Sequence, residues 1–128
     1  MNHLIKLLPV YTKNTDVRER TPKKVYFIDN GIVNINADIS GGAKFENSIH
    51  MQLLKYGKLY FYNTKDGEID FILKTYDSIF AFEVKETPTD KYLKTLNRRA
   101  SKLDIEKISL IGRCPIATFS NYIWGARI

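Results

Sequence analysis

The stretch GEIDFILKTYDSIFAFEVK, Gly67 to Lys85, constrains the fold more than any other segment. It holds two apolar runs of strand character around a polar turn at Thr75 to Ser78. Asp70, Glu83 and Lys85 are embedded in those runs, where a sheet favours apolar side chains. Burying a charge without a partner costs several kcal/mol or shifts its pKa. Side chains alternate along a strand, so Glu83 and Lys85 share a face, opposite Phe80, Phe82 and Val84. On the preceding strand Ile69, Phe71 and Leu73 are expected on one face, with Asp70 and Ile72 on the other. A hairpin then sets Asp70 across from the Glu83 side. Two neighbouring carboxylates repel, and a hard divalent cation with oxygen ligands relieves the repulsion. A lysine beside such a pair can activate water or stabilise charge on a phosphate. For an isolated E-x-K the plainer alternative is a structural ion pair between Lys85 and Glu83 or Asp70.

A third acid lies upstream. GAKFENSIHMQLLKYG, Gly42 to Gly57, is bounded by glycines and carries Phe45, Ile49, Leu53 and Tyr56 at helical intervals. Glu46 lies on or beside that apolar stripe, facing either solvent or the acidic strands. His50, four residues on, shares its face and is expected as a partly exposed helix residue rather than a ligand. Lys24 to Ile28 reads as a short strand ending at Asp29-Asn30-Gly31. Asn34 to Gly42 reads as a loop with a Ser40-Gly41-Gly42 breaker. Lys58 to Asn63 is an aromatic strand, with Tyr60 and Tyr62 on one face and Leu59 and Phe61 on the other. Asp66-Gly67 is a hairpin turn into the Asp70 strand. Thr89 to Leu103 is a helix capped by Thr89 or Asp90. Lys107 to Ile111 is a strand, and Tyr122 to Ile128 a final strand or docked tail.

The 128 residues suit one domain: a basic lead-in over 1–42 with a short strand, a core over 43–113 and a C-terminal strand or tail over 114–128. The single cysteine, Cys114, excludes an internal disulfide and fits a reducing cytoplasm. No run approaches the roughly 20 apolar residues of a membrane span, and the N-terminus does not read as a signal peptide. A net charge of +6 and a pI near 9.4 point to an anionic partner. Lys91, Lys94, Arg98 and Lys102 recur at steps of three and four, forming either a nucleic-acid-binding stripe or a solvated helix face. There is no G-x-x-x-x-G-K-[ST] loop for nucleotide phosphates.

Glu46 on a helix, then a strand, Asp70, and Glu83-Val84-Lys85 together resemble the PD-(D/E)XK, or restriction-endonuclease-like, nuclease superfamily. The closer resemblance is to the C-terminal nuclease-like domain of prokaryotic AAA+-type ATPases. It is carried by LLPVYTKNTDVRERTPKKVYFIDNGI, FENSIHMQLLKYGKLYFYNTKDGEIDFIL and AFEVKETPT. Ile69 stands where the superfamily's name motif has proline. The resemblance implies an α/β core of helix, three antiparallel strands, helix and strand, with helices flanking a mixed central sheet. It implies Asp70 and Glu83 as ligands of Mg²⁺ or Mn²⁺, Lys85 as catalytic lysine and Glu46 as an accessory acid. The implied activity is endonucleolytic hydrolysis of DNA, of which junction resolution is one version, with a homodimer as the working unit. The alternative is a catalytically silent DNA-binding or protein-docking module that serves a separate AAA+-type ATPase.

Overall fold

A computed structural model describes residues 5–28 and 41–128. The expected turn at Asp29-Asn30-Gly31 and most of the expected loop from Asn34 lie outside the described residues. The elements are β1 (Ile5–Leu8), α1 (Thr15–Arg20), β2 (Lys24–Phe27), α2 (Gly41–Leu53), β3 (Lys58–Thr64), β4 (Gly67–Lys74), β5 (Ile79–Val84), α3 (Asp90–Ser101), β6 (Lys107–Gly112) and β7 (Tyr122–Trp124). A single 3₁₀ turn, Gly125–Arg127, follows.

β3 to β7 form one sheet in chain order. β3, β4 and β5 are antiparallel, whereas β6 runs parallel to β5 and β7 parallel to β6. A parallel step needs a crossover, which α3 supplies between β5 and β6. β1 and β2 make a separate antiparallel ribbon. The sheet is therefore mixed and the domain is α/β.

Each face of the sheet carries its own core. On one side Ile49 and Leu53 of α2 pack with Leu8 and Tyr26 of the ribbon against Phe71, Leu73, Phe82 and Val84. On the other, Leu96 and Ala100 of α3 pack against Ile69, Ile72, Ala81 and Leu110. Each large side chain buried in this way contributes on the order of 1.5–3 kcal/mol. Leu59 and Phe61 join the first core and Tyr60 and Tyr62 border the second, as β3's alternation predicts.

Several local expectations shift. α2 starts at Gly41, inside the expected breaker, because first-turn amides need no intrahelical partner. It stops at Leu53, and Tyr56 turns out to solvent at 56% exposure instead of extending the buried stripe. Gly57 follows because the chain passes so close to β4 that an added Cβ would sit 2.3 Å from the Lys74 carbonyl oxygen. His50 is not partly exposed. It is wholly buried, with its ring stacked on Tyr26 at 4.2 Å.

The ribbon is held at two places. Asn47 of α2 accepts from the Phe27 amide at 2.7 Å and donates to the Phe27 carbonyl at 2.6 Å, completing a strand edge with a side chain. After β1, Pro9 to Tyr11 lies along β3. The Phe61 amide donates to the Pro9 carbonyl at 3.0 Å, and the Tyr11 amide donates to the Phe61 carbonyl at 2.7 Å. Among the described residues no helix is long and apolar enough to cross a membrane.

Replacing Asn47 by Ala leaves the Phe27 amide and carbonyl without this partner. The expected loss is about 2–3 kcal/mol, read from the urea midpoint at constant slope. A change within a few tenths of a kcal/mol would show that Asn47 does not hold the ribbon.

Candidate active site

The site grows from an irregularity in β4. Tyr60 pairs with Ile72 and Tyr62 with Ile69, so Asp70 and Phe71 together oppose Phe61. This is a β-bulge, which bends the strand and re-aims its side chains. It breaks the alternation expected from sequence. Ile69 does not share a face with Phe71 and Leu73; it packs with Ile72 on the α3 side, while Phe71 and Leu73 face α2.

On its other edge β4 loses its partner at the same point, since its pairing with β5 ends at Phe71 opposite Phe82. Beyond that pair the carboxylates take over. Asp70 Oδ2 accepts from the Val84 amide at 2.9 Å. Glu83 Oε1 accepts from the Asp70 amide at 3.3 Å. Two ladder donors are thus satisfied by side chains of the opposite strand. The two acids meet in the gap, as the hairpin argument predicts, with Glu83 only 6% exposed.

Their electrostatics follow from this crowding. Burial, the charge of Glu83 and a hydrogen bond between the two carboxyls push the Asp70 pKa well above its ordinary value. The Val84 amide and Lys24 pull it down and are outweighed. Glu46 looks from α2 toward the same place and accepts from the Tyr26 hydroxyl at 2.7 Å. Burial and then the charge of Asp70 raise its pKa. Of the two faces open to it in the sequence, Glu46 therefore takes the acidic one.

Cations approach from both sides of the sheet, and neither is Lys85. Lys24 of β2 is paired with Glu68. Burial lowers its pKa, but the Glu68 hydrogen bond and the charges of Glu46, Glu68 and Asp70 leave it raised overall. From α3, Arg99 Nη1 stands 3.7 Å from Glu83 Oε2 and donates to the Glu68 carbonyl at 2.7 Å. Gly67 makes room for it: a Cβ there would collide with the guanidinium, and its φ of +129° suits glycine. Lys85 lies with its ammonium 4.7 Å from the centre of the Tyr92 ring, a cation–π contact. It shares the α3 side with Glu83, as alternation requires, but makes no ion pair with Glu83 or Asp70.

Lys91, Lys94, Arg98 and Lys102 are all exposed on α3, so the stripe exists. Much of its charge is matched locally. Lys94 pairs with Asp90 at 3.2 Å, while Arg98 at 2.8 Å and Lys102 at 3.9 Å pair with Asp66. Lys24, Tyr26, Glu68 and Arg99 were not singled out as site residues in the sequence. Glu68 offered a signal, an acid two positions before Asp70. Lys24 and Arg99 gave none, because each sits among other basic residues and only the fold selects it.

Among the described residues no group of three or more His, Cys, Asp and Glu side chains is arranged to hold a metal. What converges is a pair of carboxyls. That pair fits a hard divalent cation, because Mg²⁺ typically takes one or two carboxylates and fills its remaining positions with water and substrate. Without a cation the two must share a proton or lean on Arg99.

Residues 41–115, more than half of the chain, match the family described as Domain of unknown function (DUF4143). The match spans Glu46, Asp70, Glu83 and Lys85. No curated protein and no solved structure matches the chain.

The raised Asp70 pKa has a stability consequence. The native state holds a proton that the unfolded chain releases above pH 3.8, so stability falls as pH rises from there toward the native pKa. Asp70→Asn keeps an acceptor for the Val84 amide and removes the repelling charge. The variant should be more stable than the parent at pH 8, on the order of 1 kcal/mol or more, with the gap closing toward pH 4. Urea unfolding at both pH values measures it. An Asp70→Asn protein that is less stable at pH 8 than at pH 4 relative to the parent contradicts this electrostatic account.

Proposed function

The chain belongs to the DUF4143 family, and we propose that it is a metal-dependent nuclease that hydrolyses phosphodiesters in DNA. One observation carries this reading: across a parted strand pair the Asp70 carboxyl accepts from the Val84 amide and the Glu83 carboxyl from the Asp70 amide, which brings two carboxyls together. A structural ion pair would not need two acids there. The element order adds support. A helix bearing Glu46, three antiparallel strands, a second helix and a parallel strand is the order the nuclease-like resemblance implies.

In this reading Asp70 and Glu83 hold Mg²⁺ or Mn²⁺, which would supply charge neutralisation at the phosphate and a more acidic water. The chain's own groups do the rest. Lys24, held by Glu68, offsets the charge of Glu46 and Asp70. Arg99 steadies Glu83. Glu46, with its raised pKa, is suited to taking a proton and returning it. Lys85 reaches the phosphate by leaving the Tyr92 ring. The basic face of α3 neutralises phosphates away from the cut, and a homodimer would provide one site per strand.

The position of Lys85 favours one alternative. An ammonium engaged with Tyr92, and acids already countered by Lys24 and Arg99, suit a catalytically silent module that binds DNA or docks onto an AAA+-type ATPase.

Labelled single-stranded, duplex, flap and four-way-junction DNAs separate the two readings. With Mg²⁺ or Mn²⁺, cutting is expected that EDTA abolishes. Asp70→Asn and Glu83→Gln should each lower the rate by at least about a hundredfold, and Lys85→Ala by about 10²–10⁴-fold. Binding of every substrate with cutting of none establishes the silent module. Separately, the combined Lys91→Ala and Lys94→Ala variant should weaken duplex binding and reduce the slope of log K against log salt by up to about 1.8. An unchanged slope would remove α3 from the binding face.

A further inference from the structure

Lys85 stands within reach of Glu83 and does not take it. The Lys85 amide donates to the Ile111 carbonyl at 3.0 Å, so the ladder with β6 runs on through Lys85 and keeps its backbone in strand register. Alternation then puts its side chain on the α3 side of the sheet, beside that of Glu83. A flexible four-carbon stem is long enough to bring an ammonium back to a carboxylate two residues away on the same face. Charge favours that pairing, because Glu83 is buried and its contact with the Arg99 guanidinium, at 3.7 Å, is longer than a hydrogen bond. The Lys85 ammonium instead lies 4.7 Å from the centre of the Tyr92 ring.

The ring is the fixed partner of this contact and the lysine the movable one. Tyr92 belongs to the first turn of α3, where its amide donates to the Thr89 carbonyl at 3.1 Å. Leu93 and Leu96, next along the helix, anchor that helix in the second core. The ring itself is 39% exposed, and a cation–π contact in such a place is weak enough to be given up for a phosphate. An ammonium lodged between Asp70 and Glu83 would compete with a divalent cation for the same oxygens. One held far from the acids could not serve the reaction. We propose that Tyr92 is a positioning residue: its ring holds the Lys85 ammonium off the Glu83 carboxylate, which keeps the carboxyl pair open to a divalent cation until a substrate phosphate draws the lysine in. The inference rests on the nuclease reading and deepens it, since it sets an order in which metal enters before lysine. It also gives the engaged ammonium a meaning other than catalytic silence.

The test is calorimetric titration of the full chain with Mn²⁺ in the absence of nucleic acid, at one pH, with melting temperatures as the check on folding. Tyr92→Phe keeps a ring and should bind Mn²⁺ as the parent does. Tyr92→Leu removes the ring and should weaken Mn²⁺ binding by about three- to fivefold, the worth of an exposed cation–π contact. Adding Lys85→Met to Tyr92→Leu should return the affinity to that of the parent or above it, because no ammonium is left to compete. A ring that mattered only for packing would show no such rescue. The proposal fails if the parent binds Mn²⁺ and Tyr92→Leu binds it equally well. It also fails if Tyr92→Phe weakens binding as much as Tyr92→Leu, or if Lys85→Met does not restore it. A parent chain that binds no Mn²⁺ sinks this proposal and the metal-dependent reading together. The expected Mn²⁺ pattern without cleavage of any DNA would sink the nuclease reading and leave the role of Tyr92 standing. Cleavage with an unchanged Mn²⁺ affinity in Tyr92→Leu would sink the role of Tyr92 alone.

Discussion

A β-ladder that ends at Phe71 and Phe82 leaves amide donors on both strands, and the rest of the molecule is organised by what accepts from them. Here the acceptors are the carboxyls of Asp70 and Glu83, each reaching across to the other strand. Water could have served, but water would not have drawn two acids to one point. Their closeness sets the demand for positive charge. It explains why Lys24 and Arg99 approach from opposite faces of the sheet, and why Gly67 must lack a side chain. It also explains why Tyr26 turns its hydroxyl toward Glu46, whose own pKa rises beside Asp70. The ribbon delivers Lys24 and Tyr26 to this gap, α2 delivers Glu46 and α3 delivers Arg99.

Much of this is legible in the chain itself. The apolar runs around Thr75 to Ser78, the Asp66-Gly67 turn and the helical spacing of α2 and α3 follow from local chemistry, and the described elements match them within a few residues. Asp70 and Glu83 stand out because acids interrupt apolar strands, a pattern visible without a fold. The misses are of another kind. Side-chain alternation assumes an unbroken strand, so the facing of Ile69 could not be foreseen across a bulge. His50 looks like an ordinary amphipathic-helix residue, and its burial depends on a ribbon distant in sequence. Lys24 and Arg99 are two of 20 basic residues, and only tertiary packing distinguishes them. The preference of Lys85 for Tyr92 over its strand neighbour Glu83 rests on a helix register that sequence leaves open.

Both edges of the five-stranded sheet are guarded by modest means. β3 is covered at Phe61 by the Pro9 to Tyr11 segment, where proline removes one donor. β7 is only three residues long and is followed directly by a 3₁₀ turn. The sheet's exposed pairing capacity is small, even though its centre is irregular.

The irregularity at the centre is one residue in size. Tyr60 to Tyr62 covers two steps where Ile72 to Ile69 covers three. Deleting a single residue from that β4 segment would restore simple pairing, return strict alternation to the strand and spare the chain a buried acid. The same deletion would dissolve the meeting point of Asp70 and Glu83. Regular folding and the polar gap are therefore in direct competition along this strand. Lineages freed from the need for the gap have a short mutational route to a smoother sheet, and a β4 of unaltered length is the simplest mark of a chain that still uses it.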